Sequence, residues 1–260
     1  MKLSQDTVKE FLEEKHDQYN RPDFINSDPI SIPHSLDTKE DIEIAGFLVA
    51  TIAWGQRTTI IENGHRLMNV MGSNPYDFIM SSSFHNGENQ GIKDFKHRTF
   101  NGEDCSFFLH SLKNIYTNHG GLERVFTDFF TDHDGNGQKA ISAFKDLFFS
   151  IPFPKRTRKH VADPLKNSSA KRINMYLRWM VRNDGRGVDF GLWKGIDPAN
   201  LFLPLDAHTG NVSRKLGILK RKQNDWKAVN EVTQNLKVFD PLDPVKYDYS
   251  LFGLGIFEKF

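Results

Sequence analysis

The chain has 260 residues, of which 38% are hydrophobic and 12% aromatic, enough to bury a substantial core as one large or two small domains. Its single cysteine, Cys105, excludes an internal disulfide, a multi-cysteine zinc site and an iron–sulfur cluster. No apolar run approaches the roughly 18 residues of a membrane span, and the first ten residues lack a signal-peptide core. We therefore expect a cytoplasmic protein with no membrane partner.

The net charge of +1 conceals two oppositely charged parts of the sequence. Residues 155–227 hold 17 Lys/Arg against 6 Asp/Glu, a net charge of +11, and the remaining residues have a net charge of −10. Such asymmetry is typical of a polyanion-binding face on a neutral protein. The alternative is that the acidic and basic segments neutralise each other within the fold.

Apolar residues recur at helical spacing along most of the chain, and strand-like alternation is almost absent, so the sequence predicts an all-α protein. Residues 5–19 form the first amphipathic segment, and Thr38 with Asp41 is predicted to cap the next helix. Further helices are predicted at 57–71, 75–81, 104–117, 121–130, 137–150, 169–182, 208–216, 224–236 and 244–258. Loops are predicted at 82–92, 131–137 and 183–200, and a connection as long as the last is typical of a functional loop.

The basic part of the sequence predicts a helix, a short turn and a second helix. IPFPKRTRKHVADPL (151–165) leads into the turn KNSSAKR (166–172), and INMYLRWMVR (173–182) follows. Lys171 and Arg172 lie in the first turn of the second helix, where backbone N–H groups can bind a phosphate.

The sequence offers no convincing metal site. Asp132, Asp134, Asn136 and Gly137 match the first half of an EF-hand loop, but Ala143 stands where the loop requires a bidentate Glu. A polar turn between helices is the better interpretation of this segment. His160 and His208 have no suitably spaced partner ligand, and we expect no metal and no organic cofactor.

Three separated segments together carry a family resemblance: FLVATIAWGQRTT (47–59), NSSAKRINMYL (167–177) and LPLDAHTGNVSRKLGI (203–218). In this order they resemble the helix-hairpin-helix superfamily of DNA base-excision glycosylases, which includes endonuclease III and the 8-oxoguanine glycosylases. More closely, the chain looks like an uncharacterised bacterial family within that superfamily, over roughly residues 40–257. The resemblance implies a two-lobed, all-α fold with the active site in the cleft between the lobes.

The resemblance also assigns roles to individual residues. Gln56 matches a gap-filling Gln, Lys171 the catalytic lysine and Asn174 a family Asn, while Asp206 in LDAH matches the catalytic aspartate. A neutral lysine amine can attack a sugar C1′, and nearby cations favour the neutral form; a neighbouring carboxylate stabilises the positive charge that develops on the sugar. The alternatives are that Asp206 only caps the following helix and that Lys171 only contacts phosphate or solvent.

The chain departs from the family pattern at the hairpin. Asn167, Ser168 and Ser169 stand where glycines are usual, which puts the usual phosphate clamp in doubt. The 35-residue spacing from Lys171 to Asp206 is longer than in endonuclease III, and together with the missing cysteine cluster it is more similar to the archaeal-type 8-oxoguanine glycosylases.

That subgroup has an Asp and, four residues later, an aromatic residue in the base pocket. Asp248 and Phe252 match this pattern, and their spacing puts them on one helical face. An acid can accept hydrogen bonds from a purine while an aromatic ring stacks on it. Phe252 as an ordinary core residue is the alternative, and Trp54 is a further stacking candidate that core packing would also explain.

Contacts to DNA are expected from the polar end of the segment 47–59, from the turn 166–172 and from the helix after Asp206. The residues are Gln56, Arg57, Asn167, Ser168, Ser169, Arg172, His208, Arg214 and Lys215. Basic residues at 155–159 and 220–222 are expected to add non-specific phosphate contacts.

Four regions follow from this interpretation: an N-terminal helical segment (1–37), a central helical lobe (38–155), a hairpin lobe with the catalytic residues (156–240) and a C-terminal helix returning to the cleft (241–260). The implied function is that of a glycosylase/AP lyase, which removes an oxidised purine such as 8-oxoguanine from double-stranded DNA. The protein is expected to be associated with the nucleoid, and no obligate protein partner is implied. The alternatives are a glycosylase for alkylated or mismatched bases and a catalytically inactive DNA- or RNA-binding module of the same fold.

Overall fold

The structure, a computed structural model, describes residues 4–81 and 89–260. These residues are mainly helical, with one two-stranded antiparallel hairpin. The elements are α1 (Gln5–Tyr19), α2 (Lys39–Ile52), α3 (Arg57–Val70), α4 (Pro75–Met80), α5 (Gln90–Lys93), β1 (Lys96–His97), β2 (Phe100–Asn101), α6 (Gly102–Asn118), α7 (Leu122–Asp132), α8 (Gly137–Phe148), α9 (Lys171–Val181), α10 (Ala207–Lys215), α11 (Trp226–Phe239) and α12 (Asp248–Ile256). Short 3-10 helices add Pro22–Ser27, Pro29–Ser31, Pro33–Ser35, Lys155–His160, Pro164–Lys166, Pro198–Asn200 and Pro244–Tyr247. No helix among the described residues combines the length and apolar character needed to cross a membrane.

The predicted all-α class is confirmed, and the long predicted helices all form. Thr38 caps α2 by accepting a hydrogen bond from the backbone N–H of Asp41, as the sequence predicts. The prediction of a helix before the turn 166–172 was wrong. Two short 3-10 helices and an extended link occupy 155–166 instead. Three prolines in 151–165 interrupt any regular helix there. Part of the loop expected at 82–92 lies outside the described residues, and its end forms α5.

Helix α2 lies at the centre of the fold and is buried along nearly its whole length. The ring of Phe47 packs against those of Phe108, Phe148 and Tyr176, at centroid distances of 5.3–5.9 Å. This contact joins α2 to α6, α8 and α9. The many phenylalanines of the sequence therefore build an interlocked aromatic core, in which ring pairs are stacked, tilted or edge to face.

Helices α1 and α12, from opposite ends of the sequence, pack directly against each other. Gly253 allows their close approach, because a Cβ atom there would lie 2.1 Å from the Tyr19 ring. Ser250 Oγ donates to the Leu12 carbonyl at 2.7 Å, which fixes the register of the pair. Helix α12 also packs against α10, so the N-terminal helix is connected through α12 to the segment containing Asp206.

A buried network of ion pairs occupies the C-terminal end of α9. Arg178 Nε and Arg182 Nη1 donate to the two carboxylate oxygens of Asp189 at 3.2 and 3.1 Å. Arg182 also pairs with Asp184 and Asp243. Asp189 lies in the Gly-rich connection 183–200, which forms no α-helix, as predicted, and is held to α9 by hydrogen bonds from Phe190 and Trp193 backbone N–H groups.

Removal of the shared carboxylate tests this network. We expect Asp189→Ala to lower the free energy of unfolding by about 3 kcal/mol, because two buried guanidinium groups lose a common partner. Urea unfolding measures the change. Asp128→Ala breaks only the exposed pair with Arg124 and serves as the control, with no resolvable loss expected. Equal stability of the two variants would contradict a structural role for the network.

Candidate active-site cavity

A cavity of about 660 Å³ lies where several helices begin. Arg57, Lys171, Ala207 and Asp248, the first residues of α3, α9, α10 and α12, all line it. Backbone N–H groups at a helix start have no partner within the helix and carry a partial positive charge. The cavity therefore has the size of a ligand site and is lined by the starts of four helices, one of which, α10, is already capped by an aspartate.

Lys171 lines the cavity from the first turn of α9, as the sequence predicts. The preceding residue, Ala170, has a left-handed backbone with φ 48°. The Lys171 amine donates to the sulfur of Met175 at 3.2 Å. Within residues 4–81 and 89–260 it forms no ion pair, although its charge lies near enough to Asp28 and Asp248 to lower the pKa of each. The amine is thus inside the cavity and held only by a weak acceptor.

Asp206 lines the same cavity and caps α10. Its Oδ1 accepts hydrogen bonds from the backbone N–H groups of His208 and Thr209, at 2.8 and 3.0 Å. Asn224 donates to the Asp206 carbonyl at 2.8 Å and fixes the turn from the other side. Asp206 therefore caps α10. The cap uses one carboxylate oxygen, and Oδ2 has no hydrogen-bond partner in the described part of the chain.

Asp248 and Phe252 both line the cavity from α12. The Asp248 carboxylate pairs with the guanidinium of Arg178, which in turn is shared with Asp189. Burial raises the pKa of Asp248 to about 6, against the opposing effect of Arg178 and with a further upward contribution from Asp206. This acid therefore changes charge near neutral pH.

The aromatic rings of the cavity already have cationic neighbours. The guanidinium of Arg57 lies 4.9 Å from the centre of the Phe252 ring, and that of Arg172 lies 4.8 Å from the Trp54 ring. Both distances fit cation–π contacts. His160 stacks on Trp54 at 6.0 Å, so the indole packs between neighbours while part of it faces the cavity.

The turn 166–172, which leads into α9, contains no glycine. Asn167 takes the left-handed conformation with φ 64°, which Asn tolerates better than most residues, and its side chain donates to Asp225 at 3.0 Å. Ser168 forms a β-bridge with Asp225, and Ser169 lines the cavity. The Asn174 amide donates to the Ser169 carbonyl at 3.1 Å, so this residue fixes the turn before α9.

The other residues expected to contact DNA are distributed around the cavity. Gln56 is exposed between two residues that line it, and His208 is exposed and lines it. The Arg172 guanidinium points into the protein, where it donates to the Thr51 and His160 carbonyls, and burial lowers its pKa to about 10.

Two further predicted contacts lie along α10. Arg214 donates to the Arg221 carbonyl at 2.8 Å and to the Asn224 side chain at 2.5 Å. The Lys215 amine lies 5.6 Å from the centre of the Phe260 ring. Both cations are therefore positioned by neighbouring residues.

The lining residues that were not singled out from the sequence include the polar residues Asp28, Arg178 and Asn224 and the aromatic residue Phe24. Asp28 precedes Pro29 and caps a 3-10 helix, a local pattern repeated at Asp163 and Asp197. That pattern predicts a cap but gives no information about the cavity. Among the described residues, no group of three His, Cys, Asp or Glu side chains is arranged to hold a metal ion.

Comparison with known proteins identifies the family. The profile described as "Protein of unknown function (DUF2400)" matches residues 28–257, and the chain belongs to this family. No curated protein and no solved structure gives a significant match. The matched range includes all four helices that begin at the cavity.

The raised pKa of Asp248 has a consequence for stability. Because the folded protein holds this proton more tightly than the unfolded chain, the contribution of Asp248 is fully present below about pH 4 and is lost as the pH rises through about 6. We expect the stability of wild type relative to Asp248→Asn to fall between about pH 4 and pH 7, as measured by urea unfolding.

Asp225→Asn is a control for which we expect the opposite pH dependence of stability. A side-chain hydrogen bond from Arg221 holds the pKa of Asp225 well below its ordinary value. The stability of wild type relative to this variant should therefore fall as the pH decreases below about 4. If the difference in the free energy of unfolding between wild type and Asp248→Asn did not change with pH, this result would contradict the raised pKa of Asp248.

Proposed function

We propose that this protein is a DNA glycosylase with AP-lyase activity that removes an oxidised purine from double-stranded DNA. The observation that carries the proposal is the shared cavity of Lys171 and Asp206, an amine without an ion-pair partner among the described residues and a carboxylate with one unused oxygen. The resemblance of the sequence to helix-hairpin-helix glycosylases supports the same assignment. The proposal includes a division of the helices into two lobes on either side of this cavity.

In the proposed reaction the neutral Lys171 amine attacks the sugar C1′. The C1′–N bond breaks, the base leaves with its electron pair and takes up a proton, and the opened sugar remains as a Schiff base on Nζ. Loss of a C2′ proton then breaks the C3′–O bond, and water releases the lysine. Asp206 stabilises the cationic sugar and transfers protons through its unused oxygen.

An extruded base would be bound between α12 and the end of α2. Asp248 offers hydrogen-bond acceptors, and the Phe252 ring offers a stacking face on which Arg57 now lies. The base would have to displace that guanidinium, which could then contact a phosphate. Exposed lysines at 155, 159, 220 and 222, which form no ion pair among the described residues, would supply charge for the flanking backbone, whereas Arg156, Arg158 and Arg221 are already paired with aspartates. The cell's nucleoid would be the site of action.

A binding module is the second candidate. The observation that favours it is the capping role of Asp206, which alone explains an Asp at this position. Such a module would bind DNA or RNA with the same basic face and cavity but would leave the nucleotide intact. A glycosylase for alkylated or mismatched bases differs from the main proposal only in its substrate.

Borohydride trapping tests the lysine. Wild-type protein should become covalently linked to a duplex containing an oxidised purine or an abasic site, because borohydride reduces the Schiff base. Lys171→Ala should abolish this product. Lys227→Ala, which changes an exposed lysine in the first turn of α11, is the matched control and should trap normally. Absence of trapping by wild type across oxidised, alkylated, mismatched and abasic duplexes would favour the binding module.

Asp206→Asn separates the two roles of the aspartate. Asn also caps helices well, so the free energy of unfolding should change by less than about 1 kcal/mol. Loss of the charge should slow trapping by about 100-fold or more. Single-turnover trapping and urea unfolding of the same preparation measure the two effects. Normal trapping by this variant would restrict Asp206 to its structural role.

A further inference from the structure

Asp28 is a buried carboxyl group in the wall of the cavity, and the proposed chemistry does not use it. It lies between two 3-10 helices, and its side chain is 8% exposed. Its Oδ1 accepts the backbone N–H of Ile30 at 3.1 Å. Its Oδ2 has no hydrogen-bond partner and no ion pair within residues 4–81 and 89–260, although the residue lines the cavity. Such a group is costly to bury unless something pairs with it.

The neighbours of Asp28 define what could pair with it. Phe24, four residues earlier, also lines the cavity, and its ring meets the Phe252 ring edge to face at 5.9 Å. Asp28 therefore lies beside the aromatic wall on which a planar ligand would stack. Asp248, the other buried acid of the cavity, is already paired with Arg178.

The two buried acids consequently differ in chemistry. Asp248 is held by a guanidinium and can act as an acceptor. Asp28 has no hydrogen-bonded guanidinium, and burial raises its pKa against the opposing effects of the Ile30 N–H group and of the nearby charges of Arg178, Arg57 and Lys171. Its unpaired Oδ2 and the Asp248 carboxylate give the cavity two separate carboxyl groups that can hydrogen-bond polar atoms on the edge of a planar ring, as nucleobases carry.

We propose that Asp28 is a specificity-determining residue that hydrogen-bonds the edge of a purine base in this cavity through its free Oδ2. The inference rests on the proposed function, because it assumes that an extruded base enters the cavity. It adds a contact from the N-terminal segment to a base pocket otherwise assigned to α12 and Trp54. Loss of this contact would leave a polar edge of the bound base without a partner.

The test uses the full chain and a duplex with 2-aminopurine opposite an abasic site, since 2-aminopurine becomes more fluorescent when it leaves the base stack. Asp28→Ser keeps a residue that caps the 3-10 helix but removes the unpaired Oδ2. We expect this variant to weaken fluorescence-detected base capture about tenfold or more. Asp28→Asn keeps a hydrogen-bonding atom at that place and should retain about half of the capture or more.

Asp197→Ser is the matched control. Asp197 also precedes a proline and caps a 3-10 helix, but it is exposed and lies outside the cavity lining. This variant should capture the base as wild type does. Normal capture by Asp28→Ser, equal losses in Asp28→Ser and Asp28→Asn, or the absence of any capture by wild type would each overturn the inference.

Trapping in the same samples distinguishes this inference from the proposed function. Capture that depends on Asp28, without borohydride trapping on any substrate, would keep Asp28 as a base-binding residue and refute the enzyme. Trapping at abasic sites with normal capture by Asp28→Ser would keep the enzyme and refute the role of Asp28.

Discussion

The ion pairs around Arg178 and Arg182 connect the parts of this fold that form the cavity. Arg178 lies on α9 and Arg182 directly follows it, and their shared partner Asp189 belongs to the long connection between α9 and α10. Arg178 also holds Asp248 at the start of α12. Because buried charges require their partners at fixed positions, this network fixes the start of α12 and the 183–200 connection against α9, the helix that begins with Lys171.

The three aspartates that line the cavity have different hydrogen-bond and ion-pair partners. Asp206 uses backbone N–H groups, Asp248 uses a guanidinium, and Asp28 has one oxygen with no partner in the described part of the chain. The cations Arg57 and Arg172 lie against aromatic rings and make no ion pair there. Three aspartates and four Lys and Arg side chains therefore line one cavity.

Local patterns made much of this structure predictable. The Thr38 cap, the period of α2 and the spacing of four between Asp248 and Phe252 depend on near neighbours in the sequence, and all appear as expected. The resemblance to a family brought Lys171 and Asp206 into one hypothesis, and both line one cavity.

Contacts between residues that are far apart in the sequence could not be predicted from local patterns. The partners of Arg178 lie 11 and 70 residues away, and nothing in the sequence near Asp28 indicates that it meets α9 and α12 at a cavity. The +11 charge of residues 155–227 was also ambiguous, because some of its arginines are exposed and others are buried in ion pairs. Segment charge does not distinguish a surface from a buried network.

The contact between α1 and α12 bears on the order in which the site is completed. The walls of the cavity come from residues 24–29 and 248–256 as well as from the centre of the sequence. During synthesis the central helices can pack early, but the cavity has no complete wall until α12 leaves the ribosome and docks on α1 and α10. The growing polypeptide can therefore form its core before the cavity is complete.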